Sequence, residues 1–127
     1  MNNKIYQERL MEHFKNSIYK NKIANPDFSS GQQNPSCGDS ILIEGKLGVD
    51  SDTGKNIIKE LSFNGSGCVI SQAAASILIE NCLGKTVEEI LKLDSNDIIK
   101  MLGIELGPNR IKCALLSLEA LKASLKK

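Results

Sequence analysis

Ser40-Ile-Leu-Ile-Glu-Gly-Lys-Leu-Gly-Val49, Asp50-Ser-Asp-Thr-Gly54 and Asn56-Ile-Ile-Lys-Glu-Leu-Ser-Phe63 decide the fold. Two β-prone runs are joined by a polar turn that ends on glycine, which is the pattern of a β-hairpin. The alternation is imperfect. Ile41 and Ile43 share one face of the first run, and Ile57, Lys59, Leu61 and Phe63 would share one face of the second. A lysine on that face leaves the register open.

Helical patterns surround the hairpin. Ile5, Arg9–Leu10, Phe14 and Ile18 fall near one face of a short amphipathic helix over residues 5–18. Tyr19 to Ser36, rich in Asn, Ser, Gln, Gly and Pro, reads as an extended or irregular segment. After Asn64-Gly-Ser-Gly67, the run Cys68 to Leu83 is apolar nearly all round, as a helix buried on most sides would be, and Gly84 stops it. Thr86-Val-Glu-Glu89 opens a short helix with a Thr/Glu capping box, and Ser95 to Leu102 forms another that ends at Gly103. A last helix over residues 110–125 sets Leu115, Leu118, Leu121 and Leu125 on its inner face. A hairpin-based sheet with helices against it is an α+β design, and residues 1–127 read as a single domain without repeats or linker.

Composition narrows the function. The chain is 41% apolar and 24% charged, with a formal net charge of +1, three Phe, two Tyr and no Trp. A nucleic-acid binder usually carries a basic excess interleaved with stacking aromatics, so nucleic acid is not an expected partner. No apolar run is long enough to span a bilayer, and the N-terminal MNNKIYQERLMEHFKNS has no hydrophobic core with a cleavage site. A cytoplasmic location follows, with no membrane partner. In that reducing compartment the four cysteines point to metal binding or sulfur chemistry before disulfides.

Three of them sit where chemistry is convenient. Cys37 lies in Asn34-Pro-Ser-Cys-Gly-Asp39, a turn before the hairpin; Cys68 closes Gly65-Ser-Gly-Cys68 at the mouth of the buried helix; Cys113 closes Pro108-Asn-Arg-Ile-Lys-Cys113 in the first turn of the last helix. Helix starts stabilise a thiolate. Asp39 can add an oxygen from the turn that holds Cys37, and three sulfurs with one carboxylate make a tetrahedral set for zinc or a seat for an iron–sulfur cluster. The carboxylate would be the weaker ligand and the one able to let go. Gly38, Gly65 and Gly67 would let the backbone approach the metal. Spacings of thirty-one and forty-five residues match no zinc-finger pattern, and any one free cysteine is as readily an inert core thiol as a ligand. Cys82, among Leu78, Ile79 and Leu83, is read as such a core thiol.

Taken in order, Asn-Pro-Ser-Cys-Gly-Asp, Gly-Ser-Gly-Cys before an Ala/Ser-rich helix, and Arg-Ile-Lys-Cys before a Leu-rich helix resemble the IscU/SufU/NifU family of iron–sulfur scaffold proteins over nearly the whole chain. The resemblance implies a three-stranded antiparallel sheet with helices packed against it, the SufE/NifU-like fold. It places the family's functional cysteines on Cys37, Cys68 and Cys113 and its aspartate on Asp39. It also implies sulfur supplied by a cysteine desulfurase and a transient [2Fe–2S] cluster, or iron, delivered to apo iron–sulfur acceptor proteins. In SufU-type members zinc is bound instead and sulfur is relayed. Whether two chains form a homodimer around a cluster stays open.

Several positions depart from each subtype. Lys112 stands where IscU-type members have His, so Ile-Lys-Cys looks like SufU, yet residues 94–107 are too few for the SufU insertion. Gly107-Pro-Asn-Arg-Ile-Lys112 replaces the chaperone pattern Leu-Pro-Pro-Val-Lys, and Asn16-Ser17 replaces Asn-Pro. On chemical grounds Cys113 is the expected sulfur acceptor, since Lys112 and a helix start favour its thiolate, with Cys37 the alternative. His13 is expected at the surface or partly packed, and Glu88 and Glu89 as helix-capping residues. Gly65-Ser-Gly67 lacks the Lys and Ser/Thr of a phosphate loop. Three functions remain in view: a scaffold, a zinc-dependent sulfurtransferase, and a structural module with incidental cysteines.

Overall fold

A computed structural model describes residues 3–35 and 38–126. The order is α1 (Asn3–Asn16), β1 (Phe28–Asn34), β2 (Asp39–Val49), β3 (Asn56–Ser66), α2 (Val69–Cys82), α3 (Val87–Leu91), α4 (Ser95–Leu102) and α5 (Pro108–Leu125). The three strands form one antiparallel sheet in the order β1-β2-β3, as the family resemblance implied. No helix among the described residues is long and apolar enough to cross a membrane.

Strand β1 decides between the two readings of residues 19–36, extended or irregular, in favour of extended backbone over residues 28–34. Its sequence FSSGQQN carries one large apolar residue, so no alternation marks it. Pairing with β2 makes it a strand, from Phe28↔Gly45 to Asn34↔Asp39. Gly45 is needed for space: a Cβ there would come within 2.2 Å of the Phe28 ring. The ring instead folds over the bare backbone of its cross-strand partner and is buried.

The hairpin register resolves at a bulge. Lys46 pairs with Glu60 and Leu47 with Ile58, which leaves Lys59 as the extra residue. The slip changes the parity of β3, so that Ile58, not Ile57, joins Leu61 and Phe63 in the core while Lys59 stays exposed. The outer edge of β3 is covered by chain. The Phe63 amide donates to Tyr19 O at 3.0 Å and the Ile58 amide to Lys85 O at 2.9 Å. An edge so occupied no longer offers a template for another strand.

Helix α2 is buried from Ser71 to Ile79, as its all-round apolar sequence predicted. The capping box of α3 forms between Thr86 and Glu89, and α4 has a second one between Asp94 and Asp97. Two faces differ from expectation. Helix α1 ends at Asn16, so Ile18 is exposed, Ile5 is exposed too, and only Leu10 of that face is fully buried. On α5 the buried leucines are Leu116, Leu118 and Leu121, with Leu115 and Leu125 half-buried.

Candidate metal centre

Three segments far apart in sequence meet at one end of the sheet. Asp39 is the first residue of β2, Cys68 is the N-cap of α2, and Cys113 lies on α5. One ligand atom from each, a carboxylate oxygen and two sulfurs, all lie within 4.8 Å of one another. Their burial differs. Asp39 is 3% exposed and Cys113 is 6% exposed, whereas Cys68 opens to solvent. Cys37, the fourth expected ligand, lies outside the described residues; its chain neighbours Asn34 and Asp39 are paired across the β1–β2 turn.

Buried position and chemistry of Asp39 are linked. Cys68, in an extended conformation (φ −72°, ψ 167°), has no side-chain cap of its own, and α2 has no acidic residue in its first turn. Asp39 supplies the anionic cap from the neighbouring strand: its Oδ1 accepts the Cys68 amide at 3.1 Å, and its Oδ2 accepts the Cys68 thiol at 3.2 Å. A carboxylate at a helix N-terminus is favoured by the unpaired N–H groups and the macrodipole. The amide and thiol of Cys68 thus satisfy both carboxylate oxygens.

Gly67 makes the room. Its φ is +145°, and a Cβ there would stand 2.4 Å from Asp39 Oδ1, 2.5 Å from Cγ and 2.8 Å from Cβ. Gly65 and Gly67 have close protein neighbours of their own. Gly67 cradles the carboxylate, and Gly65 lets backbone meet backbone, since its Cβ would lie 2.0 Å from Ser40 O. Gly38 turns the chain at φ +75° with nothing within 4 Å of its would-be Cβ.

Around the cysteines the polar contacts are specific. The Ser71 hydroxyl, fully buried, donates to Cys68 O at 3.1 Å and lies 3.9 Å from Cys68 Sγ. The Gln72 amide nitrogen donates to Gly67 O at 3.0 Å. Neither residue stood out in the sequence; the only signal was a polar pair in an otherwise apolar helix start. A groove of about 490 Å³ opens beside Cys68, walled by Leu10, Met11, Val69, Ile70, Ile104 and Arg110.

Two arguments from sequence change. Cys113 is the sixth residue of α5, past the turn whose N–H groups stabilise a thiolate, because the helix begins at Pro108. Lys112 beside it is exposed. Cys82 is the core thiol expected: it is fully buried, and burial pushes its thiol up to about 12, with Lys85 opposing weakly. His13 is partly packed. Its Nδ1 meets Ser76 Oγ at 2.8 Å and its Nε2 meets Glu80 at 3.1 Å, and burial lowers its pKa against the pull of Glu80. Ser17 Oγ joins Ser76 Oγ at 2.7 Å, which ties the end of α1 to α2.

Residues 5–127 match the family model of the NifU-like N-terminal domain. The chain belongs to that family. It is 32% identical to the zinc-dependent sulfurtransferase SufU of Bacillus subtilis, covering 97% of this chain and 90% of that protein. It is 30% identical to the iron–sulfur cluster assembly scaffold protein IscU of Thermotoga maritima, over 97% and 94% of the two chains. Among solved structures, a candidate SUF-system scaffold protein for iron–sulfur cluster assembly from Fervidobacterium islandicum superposes with a TM-score of 0.74 at 30% identity. That match covers 98% of this chain and 99% of the other. A NifU-like N-terminal domain from Brucella abortus, at 19% identity and TM-score 0.68, has the same fold. The NifU-like fold expected from the three cysteine motifs is therefore the fold of this chain.

Proposed function

We propose that this protein is an iron–sulfur cluster assembly scaffold, acting in the cytoplasm as one domain over residues 1–127. It takes sulfur from a cysteine desulfurase and holds iron, or a [2Fe–2S] cluster as its cargo, on Cys37, Asp39, Cys68 and Cys113. The observation that carries this reading is the convergence of Asp39, Cys68 and Cys113 within 4.8 Å from a strand start, a helix N-cap and a helix interior. The donors fit a metal by type and by reach. Soft thiolates with one carboxylate suit zinc or iron, and a tetrahedron with metal–sulfur bonds of about 2.3 Å has ligand atoms about 3.8 Å apart, so only a small contraction is required.

Each residue then has a part. Cys68 is the exposed member through which cargo enters and leaves; Cys113 anchors the set from the core side; Asp39 closes it from β2 and holds Cys68 when no metal is present. Cys113, the cysteine of the Arg-Ile-Lys-Cys motif, is the sulfur acceptor in this reading, with Cys37 the alternative. Its burial means that the site must open on the Cys68 side before a desulfurase reaches it. The Cys113 thiolate attacks the outer sulfur of the desulfurase persulfide, the sulfur–sulfur bond breaks, and the desulfurase cysteine leaves as a thiolate. The cluster passes to apo iron–sulfur proteins, and a homodimer sharing one cluster is the arrangement to test beside the monomer.

A second reading, a zinc-dependent sulfurtransferase, is favoured by Lys112 in the Ile-Lys-Cys motif and by the similarity to SufU. A resident zinc would hold the thiolates deprotonated and ordered. Metal analysis and absorption spectra of anaerobically purified protein separate the two. Brown protein after anaerobic reconstitution supports the scaffold; colourless protein with one tight zinc supports the transferase. In either case Cys37→Ser, Cys68→Ser and Cys113→Ser lose most metal or cluster, whereas Cys82→Ser keeps it. Metal loss on Cys82→Ser with retention on Cys68→Ser refutes the assignment.

A further inference from the structure

Gln72 is a buried glutamine in α2, the longest of that helix's buried polar side chains beside Ser71 and Ser76. Both ends of its amide are used. Nε2 donates to Gly67 O at 3.0 Å, and Oε1 accepts from Lys20 Nζ at 2.7 Å. Lys20 belongs to a short segment that is itself fastened to β3. Tyr19 O accepts the Phe63 amide at 3.0 Å, and Asn21 O accepts Asn64 Nδ2 at 2.7 Å. The end of β3 and the Gly67–Cys68 link to α2 are thus gripped from the strand side by residues 19–21 and from the helix side by Gln72.

That link backs the Asp39 carboxylate. Gly67 stands so close to it that an added Cβ would lie 2.4 Å from Oδ1. A shift of Gly67 therefore moves the wall behind the carboxylate and the amide of Cys68, which the same carboxylate accepts at 3.1 Å. We infer that Gln72, braced by Lys20, is a positioning residue for the metal centre: it fixes the Gly67 wall and so sets how readily Asp39 moves between Cys68 and a bound metal. The role adds a control on cargo release to the scaffold or transferase reading and rests on that reading for its functional meaning.

The reasoning is one of satisfied bonds. Removing the Gln72 donor leaves the Gly67 carbonyl without that partner at the mouth of the site, and one hydrogen bond of this kind is worth about a tenfold change in a local opening equilibrium. Glycine-rich backbone has much freedom to regain, so the opening is local to residues 65–68. The exposed lysine contributes less, because its pairing with a neutral amide is screened by water.

The test reads both the loop and the metal. Gln72→Met keeps side-chain length and loses both bonds; Gln72→Glu keeps an acceptor for Lys20 and loses the donor to Gly67; Lys20→Met removes the brace alone. Amide hydrogen exchange of the metal-free proteins by NMR should show the Cys68 amide exchanging about tenfold faster in both Gln72 variants and a few-fold faster in Lys20→Met. Exchange at Ile79, deeper in α2, should be unchanged. Zinc loss to an excess of chelator should accelerate in the same order. If Cys68 exchanges at the wild-type rate in all three variants, or if exchange rises uniformly along α2, the inference is overturned. If Gln72→Met does not fold, Gln72→Glu and Lys20→Met decide it. Should Cys68→Ser hold zinc as tightly as wild type, the metal reading fails while the exchange result still judges the clamp.

Discussion

Gly67→Ala would test the carboxylate cradle most directly. The added methyl meets three atoms of Asp39, at 2.4 Å from Oδ1, 2.5 Å from Cγ and 2.8 Å from Cβ. The last of these cannot swing away, because Asp39 is paired with Asn34 in the sheet and its Cβ is fixed by the strand. Alanine at φ +145° adds backbone strain of about 1–3 kcal/mol. Displacing the carboxylate also loses its bonds from the Cys68 amide and thiol, and bonds to a charged group are worth about 1.5–3 kcal/mol. A total destabilisation of about 3–5 kcal/mol follows, or a Tm lower by roughly 10–20 °C for a domain of this size. Urea unfolding of metal-free protein measures it. The double variant Asp39→Ala/Gly67→Ala discriminates the cause. With the carboxylate gone, the contact with the residue 39 Cβ at 2.8 Å and the backbone strain remain, so the two substitutions should couple only by the share of the lost hydrogen bonds, about 1.5–3 kcal/mol. Additive effects, or a Gly67→Ala protein as stable as wild type and binding zinc normally, would refute the cradle.

Asp39→Ala should retain metal or cluster on its thiolates yet transfer it slowly, read as cluster half-life and transfer rate to an apo-ferredoxin; wild-type transfer kinetics would sink the labile-ligand idea. Bound zinc should raise Tm by roughly 10 °C at a free concentration 100 times its Kd, while the chelated protein keeps its helical circular dichroism, since the core does not pass through the metal. His13 has a pKa below its ordinary 6.5, so the unfolded chain takes the proton more readily and stability falls as pH drops through 6.5 towards the folded value. Urea midpoints of wild type and His13→Gln should therefore converge between pH 7 and pH 5, and a constant difference would show that His13 does not titrate between the two states.

How much of this could be read from sequence depends on where each signal resides. The hairpin, the α3 capping box and the buried α2 were legible because local pattern and tertiary role agree there. Strand β1 was not, because FSSGQQN becomes a strand only through the backbone of β2 and the space above Gly45. The bulge at Lys59 was hidden for a related reason: a side-chain period cannot announce the residue that breaks it. That Asp39, Cys68 and Cys113 come together was legible from their motifs, but the reason given for a Cys113 thiolate was not sound, since the helix starts five residues before it. Gly67, Ser71 and Gln72 had only their residue types to offer. Their importance lies in distances across the β3–α2 link, which no linear pattern contains.

The arrangement also explains why an aspartate can serve where a fourth thiolate would bind more strongly. A buried carboxylate that left a metal with no other partner would face a desolvation cost of several kcal/mol, and the metal would be held against release. As a ligand in the proposed site, Asp39 would face no such cost, because the amide and thiol of Cys68 lie at 3.1 and 3.2 Å from its oxygens. On the proposed reading the exchange would be between two satisfied states, with the Gly67 wall standing beside it. A cysteine in that place would bind metal more firmly but could not accept two hydrogen bonds through two separate oxygens. Release from the proposed site would then follow from one ligand having a second, equally buried place to go.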